Sequence, residues 1–314
     1  MSEEPTHPSM SGPRPATADT SLREVFSNRL WATVVKTRNW LKRVGLLGPL
    51  DGLTSFLGPR LLRPPKTETR VLMPHDLALT LPAGLPSHRN YATGLYEVDV
   101  TAVVSSILHD GMAVLDIGAN IGYYTLLASR LVGESGHVYS FEPDPEVFMY
   151  LEQNALANRC VNVTSINKAV GATVGAVTFQ RVELERGFVS KGGLGALTVE
   201  QVTVDRYFSD LGWPPVDLVK IDIEGSEEDA LRGMQNLISH NPRLRLIMEL
   251  NMDAISRTGG TLASLIETIG RLGFTACYVI ELRRYVALDE LLAGSRAIHN
   301  LLLSSSSTPA FRQA

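Results

Sequence analysis

The sequence predicts an α/β fold built around a mostly parallel sheet with helices on both faces. Short apolar runs recur along the 314-residue chain, and each is followed by a segment of helical periodicity. Strands that alternate with helices are joined by right-handed crossovers, so their sheet is largely parallel. The predicted strands are Ala113 to Ile117, His137 to Phe141, Val161 to Ile166, Val216 to Ile221, Leu244 to Leu250 and Phe274 to Ile280.

Helix-start signals support the boundaries of these elements. Asp144 precedes Pro145, a residue that fits the first helical position, so Asp144 is predicted to cap a helix. Ser226 is predicted to cap the helix that begins with three acidic residues. Before the first strand, "RVLMPHDLALTLP" indicates a short strand region, and apolar residues at 100, 103, 104 and 107 indicate a helix.

An insertion interrupts the alternation between the third and fourth predicted strands. "VGAVTFQ" and "ALTVEQVTVDRYF" are typical of two additional strands, joined by the Gly-rich "ERGFVSKGGLG". The insertion is interpreted either as a lid or substrate loop, or as a plain surface hairpin.

The predicted domain organisation has four parts. Residues 1–20 form a polar, Pro-rich disordered tail, and residues 21–69 contain a basic amphipathic helix and a Gly/Pro-rich connector. Residues 70–305 form the main domain, and residues 306–314 form a second tail. The helix at 21–44 fits a membrane surface or a partner, or it packs on the main domain or on a second subunit.

Composition limits the classes of function. The formal net charge of −4 argues against a nucleic-acid partner. The two cysteines are far apart and form no metal or disulfide pattern. No run approaches the ~20 apolar residues of a membrane span, and the N-terminus lacks a signal-peptide pattern. The expected location is therefore cytoplasmic, with membrane association through the basic helix as an option.

The turn "DIGANIG" predicts a nucleotide site. A dinucleotide fingerprint needs glycines where the chain has Asn120 and Tyr123, and a phosphate-binding loop needs a lysine that is absent near Gly122. Asp116 suits a sulfonium or ammonium group better than a phosphate. Glu142 ends the next strand, at the spacing of an acid that binds ribose hydroxyls. We therefore predict S-adenosylmethionine, held by Asp116, Gly118, Asn120, Gly122, Glu142 and Asp222; the alternative is a tight turn with a surface glutamate.

A second cluster of polar residues ends the fourth predicted strand. In "LVKIDIEG", Lys220, Asp222 and Glu224 alternate with two isoleucines and so share one direction. Three charges on one face of a central strand are costly unless they are paired or hydrated. A functional site is favoured over a structural network of ion pairs.

These motifs, together with "FEPDPE" and "LVKIDIEGSEEDAL", resemble the FkbM family of S-adenosylmethionine-dependent methyltransferases over about residues 90 to 305. "GLYEVDV", "LIMELN" and "AIHNLLL" resemble weaker family features. The resemblance implies a Rossmann-like class I methyltransferase with a seven-stranded, mostly parallel sheet and, here, an N-terminal helical extension. It also implies O-methylation of a sugar, glycolipid or polyketide-type metabolite. Asn251 stands where relatives often carry a histidine, so that position is not expected to be a base.

Methylation of an alcohol needs a general base. Asp222 is the first choice and Glu224 the second, with Lys220 orienting them or holding an acceptor oxygen. A divalent cation bound by Asp222, Glu224 and Glu249 is a less favoured alternative, and no metal ligand is assigned. Of the histidines, only His299 is worth testing. The alternatives in function are a protein that binds S-adenosylmethionine without catalysis, and a methyltransferase acting on protein or RNA.

Overall fold

The computed structural model describes residues 66–92, 94–183, 186–190, 196–293 and 299–305. The predictions of a tail at 1–20, a basic helix at 21–44, most of the connector and a tail at 306–314 lie outside the described residues. No helix within these described ranges is long and apolar enough to cross a bilayer.

The described chain alternates strands and helices along most of its length. The strands are β1 (Thr69–Leu72), β2 (Ala78–Leu81), β3 (Ala113–Ile117), β4 (His137–Phe141), β5 (Val163–Ile166), β6 (Ala169–Val170), β7 (Gly175–Glu183), β8 (Arg186–Ser190), β9 (Leu197–Val202), β10 (Leu218–Ile221), β11 (Arg245–Leu250), β12 (Ala276–Val279), β13 (Arg284–Val286) and β14 (His299–Ser304). The helices are α1 (His88–Ala92), α2 (Val98–Ile107), α3 (Tyr123–Val132), α4 (Pro145–Ala157), α5 (Val204–Asp210), α6 (Glu227–Arg232), α7 (Gln235–His240), α8 (Met252–Thr258) and α9 (Leu262–Arg271).

The main sheet has the order β13-β12-β14-β11-β10-β3-β4-β5. Strands β11, β10, β3, β4 and β5 are parallel, and β14 runs antiparallel between β11 and β12. The chain order reverses between β3 and β10, which is the point where doubly wound sheets bind ligands. The Rossmann-like prediction is confirmed. The described sheet has one strand more than the seven expected, because the chain reverses after β12 and adds β13 at the edge.

Apolar side chains cover both faces of this sheet. Val114 and Leu218 belong to one buried cluster, whereas their neighbours Leu115 and Val219 belong to another. Burial of each such side chain stabilises the fold by about 1.5 to 3 kcal/mol. The two cores fix β3 and β10 side by side, and the turns that follow both strands therefore open at the same edge.

The starts of two helices decide the geometry at that edge. Asp144 caps α4 as predicted, since its carboxylate accepts hydrogen bonds from Glu146 N and Val147 N at 2.9 and 3.4 Å. The predicted cap at Ser226 is wrong, because that side chain makes no capping hydrogen bond. The buried Glu227 carboxylate instead accepts from the backbone N–H of Ile223 and Gly225, at 3.3 and 3.1 Å.

The insertion forms a second sheet with the order β6-β9-β7-β8. The prediction that "ALTVEQVTVDRYF" is all strand is wrong in its second half. Thr203 accepts a hydrogen bond from Arg206 N at 3.0 Å and so starts α5, a local cap that ends β9 at Val202.

The hairpin of β1 and β2 is attached to α4 by two asparagines. Asn158 Oδ1 accepts from Ala78 N at 2.8 Å, and Asn154 Oδ1 accepts from Thr80 N at 2.7 Å. The strand region that begins near residue 70 therefore packs with the main sheet and does not form a separate unit.

Candidate functional site

A cavity of about 330 Å³ opens at the carboxyl ends of β3, β4, β10 and β11. Its walls come from the turns after these strands, from the loop before α2 and from the insertion. Among the residues that the structure describes, seven carboxylate side chains and two lysines line it, namely Glu97, Glu142, Asp144, Glu183, Asp222, Glu224 and Glu249 against Lys168 and Lys220. This excess of negative charge suits a positively charged ligand.

The turn from β3 to α3 requires glycine at two points. A Cβ on Gly118, where φ is +83°, would lie 2.0 Å from Asp222 O, because the turns after β3 and β10 touch there. Gly122 has φ +99° at the start of α3, and a Cβ would lie 2.9 Å from Leu151 Cδ1. Gly118 therefore joins the two turns beside the cavity, whereas Gly122 lets α3 pack on α4.

Asp116 lies beneath this turn and not among the residues that line the cavity. Its side chain is 2% exposed, and its Oδ2 accepts a hydrogen bond from the Thr125 hydroxyl at 2.7 Å. Its Oδ1 has no hydrogen-bond partner among the described residues. Burial raises the pKa of Asp116. This unpartnered oxygen under an acidic cavity fits a cationic ligand bound above it.

Glu142 ends β4 and does line the cavity, with 6% of its surface exposed. Its two oxygens accept backbone hydrogen bonds from Asn120 N and Asp144 N, each at 2.9 Å. Burial outweighs these two donors and raises the pKa of Glu142 to about 8. Asn120, which has φ +51°, also lines the cavity, so two of the predicted ligand-binding residues, Asn120 and Glu142, are brought together.

The turn after β10 brings Lys220 and Asp222 together. Lys220 Nζ donates to Asp222 Oδ2 at 3.0 Å, and Lys220 is 5% exposed. Burial alone would lower the pKa of Lys220, but the charges of Asp222, Glu97 and Asp116 outweigh it and raise the pKa above its usual value. The ammonium also lies 4.6 Å from the centre of the Tyr124 ring. Lys220 is thus a permanent cation that holds Asp222 in place.

The third predicted catalytic residue, Glu224, lines the same cavity. It lies in the left-handed region with φ +54°, followed by Gly225 with φ +111°. Backbone strain of this kind is common where a turn must present a side chain to a ligand.

Sequence reasoning missed one wall of the cavity. The loop before α2 contributes Tyr96 and Glu97, and the Glu97 carboxylate accepts a hydrogen bond from the Tyr124 hydroxyl at 2.7 Å. Burial raises the pKa of Glu97. The rings of Tyr96 and Tyr91 stack with centroids 4.1 Å apart, and Tyr123 packs against both. In the sequence, only the resemblance of "GLYEVDV" to a weaker family feature pointed to this loop, and that segment contains Tyr96 and Glu97.

The insertion also lines the cavity. Arg181 on β7 makes ion pairs with Asp144, which caps α4, and with Glu146, the latter at 2.6 Å. The ring of Phe188 on β8 packs against the guanidinium of Arg257 on α8, and the ring centre lies 5.0 Å from Arg257 Cζ. The described part of the insertion is therefore attached to the main domain at two points, while residues 191–195 lie outside the description.

Two other residues singled out from the sequence lie elsewhere. His299 faces a separate apolar groove with Leu250 and Leu291, and its Nδ1 lies 3.7 Å from Glu281 Oε2. Asn251 caps α8 by accepting a hydrogen bond from Ala254 N at 3.2 Å. Within the described ranges, no group of three or more His, Cys, Asp and Glu side chains is arranged to hold a metal ion.

Comparison with known proteins identifies relatives of the chain. The family model described as "Methyltransferase FkbM domain" matches residues 116–276. The chain is 25% identical over 144 residues to the hexuronic acid methyltransferase AglP of Haloferax volcanii, a match that covers 45% of this chain and 58% of AglP. It is 27% identical over 202 residues to the 31-O-demethyl-FK506 methyltransferase FkbM of Streptomyces tacrolimicus, covering 54% of this chain and 74% of that protein. The chain thus spans little more than half the length of AglP.

A solved structure also resembles the chain. It is a precorrin-6y C5,15-methyltransferase from Geobacter metallireducens, with a TM-score of 0.40 and 15% identity over 66% of this chain and 88% of that one.

Proposed function

This chain belongs to the FkbM methyltransferase domain family, and we propose that it is an S-adenosylmethionine-dependent O-methyltransferase. The acceptor is a hydroxyl of a sugar, a glycolipid or a polyketide-type metabolite. One observation carries the proposal: an acidic cavity, at the point where the sheet order reverses, is lined by the turn after β3, by Glu142 and by the Lys220–Asp222 pair.

We assign S-adenosylmethionine to the side of the cavity formed by β3 and β4. Gly118 and Asn120 provide backbone close to the ligand, and Glu142 accepts hydrogen bonds from ribose hydroxyls. Asp116 contributes negative charge from beneath the turn. The ligand supplies an electrophilic methyl carbon on a positively charged sulfur, and the acidic walls favour that charge.

The acceptor binds on the side formed by β10, β11 and the loop before α2. Asp222 and Glu224 accept hydrogen bonds from acceptor hydroxyls, and Lys220 orients Asp222. Tyr96 and Tyr124 offer aromatic surface beside these carboxylates, a combination that suits the apolar faces and hydroxyls of a ring. The name of AglP specifies a hexuronic acid and that of the Streptomyces relative a demethylated FK506, and both support a small-molecule acceptor.

We further propose that residues 70–305 form the methyltransferase domain. The basic segment at 21–44 would then add peripheral contact with a membrane or a partner.

Methyl-labelled S-adenosylmethionine, incubated with the protein and an extract of its host, tests the activity. The extract is then separated into saccharide, lipid, small-molecule, protein and RNA pools. Label in one of the first three pools, as a base-stable methyl ether, is the expected result. Label in protein or RNA would overturn the acceptor class, and cofactor binding without any label would favour a non-catalytic protein. Above pH 8 and at a low cofactor concentration, Glu142→Gln serves as the control with weakened cofactor binding, and Glu267→Gln, on the exposed face of α9, as the matched neutral one.

A further inference from the structure

We propose that Glu249, at the end of β11, is the general base that takes the proton of the acceptor hydroxyl. The Lys220–Asp222 pair then positions the acceptor and does not remove its proton. This inference rests on the proposed function and reassigns the role that the sequence gives to Asp222.

The sheet register places Glu249 beside the reacting position. Strands β10 and β11 are parallel, and Ile221 pairs with Met248. Asp222 directly follows β10, and Glu249 directly follows Met248 in β11, so the two residues lie at the same level of this sheet edge. Both side chains line the cavity.

The carboxylates of the acceptor side differ in their partners. An oxygen of Asp222 is held by the Lys220 ammonium at 3.0 Å, and Glu97 is held by the Tyr124 hydroxyl at 2.7 Å. The Glu249 side chain has no hydrogen bond or ion pair with any residue in the described part of the chain. A carboxylate with free lone pairs in a partly dry cavity is better prepared to accept a proton than one bound by an ammonium.

The charges that face Glu249 give it the basicity that this role requires. Burial first, and then the negative charges of Asp222, Glu224 and Glu97, raise the pKa of Glu249 to about 8, while Lys220 opposes them. A general base works best when its pKa is close to the working pH.

The strand on the other side of Glu249 contributes little charge. There, Asn300 pairs with Glu249, and both the backbone N–H and the side-chain amide of Asn300 donate to Glu281. His299, which precedes Asn300 in β14, faces the separate groove near Glu281.

The methyl transfer balances with Glu249 as base. The hydroxyl proton moves to the Glu249 carboxylate while the acceptor oxygen forms a bond to the methyl carbon. The carbon–sulfur bond breaks, and its electron pair stays on sulfur. The products are a methyl ether, S-adenosylhomocysteine and protonated Glu249, which then loses its proton to water.

The pH dependence of methyl transfer tests this role. The substrate is unlabelled material from the extract pool in which the first experiment finds the label, and S-adenosylmethionine is saturating. Wild-type kcat should rise with pH to a plateau, with a midpoint no higher than about 8, and EDTA should not change it. Glu249→Gln should keep its affinity for S-adenosylmethionine within about threefold, lose about 100- to 10,000-fold in kcat and lose the pH dependence. Glu249→Asp should retain a pH-dependent rate, and Glu267→Gln should match the wild type. A pH profile that survives in Glu249→Gln, or loss of wild-type activity in EDTA, would overturn the assignment.

A second measurement needs no acceptor. Calorimetry in two buffers of different ionisation enthalpy counts the protons released when S-adenosylmethionine or S-adenosylhomocysteine binds at pH 7.5. The positive sulfur favours ionised Glu249, so S-adenosylmethionine should release more protons, and Glu249→Gln should remove the difference. An unchanged difference in Glu249→Gln would sink the proposal even if an acceptor is methylated. Absence of any methylated acceptor would instead count against the proposed function.

Discussion

Replacement of Glu142 by glutamine should make ligand binding independent of pH. With a pKa of about 8, the Glu142 carboxyl is ionised to roughly a tenth at pH 7 and to about a hundredth at pH 6. If ribose hydroxyls bind the ionised form more tightly, the affinity of the wild type should rise with pH, by no more than about tenfold per pH unit, and level off above pH 8. Above pH 8, Glu142→Gln should bind more weakly by about 1 to 3 kcal/mol, or roughly 5- to 150-fold.

Calorimetric titration with S-adenosylhomocysteine between pH 6 and pH 9 measures this effect. The wild type and the variant should converge at pH 6, because the wild-type carboxyl is then protonated. Glu249→Gln should keep most of the dependence of affinity on pH, and the exposed Glu267→Gln should keep all of it. A wild-type affinity that is flat from pH 6 to 8, or a Glu142→Gln variant that keeps the slope, would refute the reasoning.

Four further changes test other parts of the site. Asp222→Asn should lower turnover of the labelled acceptor far more than affinity for S-adenosylmethionine, and equal losses would show that Asp222 serves binding alone. Arg181→Met removes the ion pairs of the insertion, so stopped-flow release of S-adenosylhomocysteine should be several-fold faster, equivalent to about 1 kcal/mol. Gly118→Ala should cost about 2 to 4 kcal/mol in urea unfolding because its Cβ meets the β10 turn, whereas Gly84→Ala, with φ +72° and open space, should cost only about 1. Deletion of residues 1–44 should leave a folded domain that binds S-adenosylmethionine, and an insoluble product would show that the segment completes the core.

The strands and the two polar turns could be predicted because their signals are local. Apolar runs mark β3, β4, β10 and β11, and Glu142 and Asp222 directly follow the runs of β4 and β10. A parallel sheet brings such ends to one edge, so Glu142 and Asp222 could be placed in one cavity from order alone. Family membership is confirmed by the match to residues 116–276.

The rest of the site depends on tertiary packing. Tyr96 and Glu97 precede α2, and only packing on Tyr123 and Tyr124 brings them to the cavity. Lys220 pairs with Asp222, whereas Glu249 has no hydrogen bond or ion pair within the described part of the chain, and alternation along a strand does not reveal this difference.

The positions of two further acidic side chains depend on how deeply each is buried, which the sequence does not show. Asp116 lies before the end of β3 and is buried beneath the turn, where it accepts a hydrogen bond from Thr125, a depth that the sequence did not reveal. Ser226 makes no capping hydrogen bond, and the buried Glu227 carboxylate instead accepts from the N–H groups of Ile223 and Gly225 in the turn before the helix.

The central claim is that the protein methylates a hydroxyl oxygen. Identifying the atom that carries the transferred methyl group tests this claim most directly. The protein is incubated with unlabelled material from the extract pool that contains its acceptor, and with S-adenosylmethionine that carries ¹³C in the methyl group. The product is examined by carbon and proton NMR. A ¹³C-methyl group bonded to an ether oxygen, formed more slowly above pH 8 when Glu142→Gln is used at the same low cofactor concentration, is the predicted result. A methyl group on nitrogen or on carbon, or a base-labile methyl ester, would contradict the account.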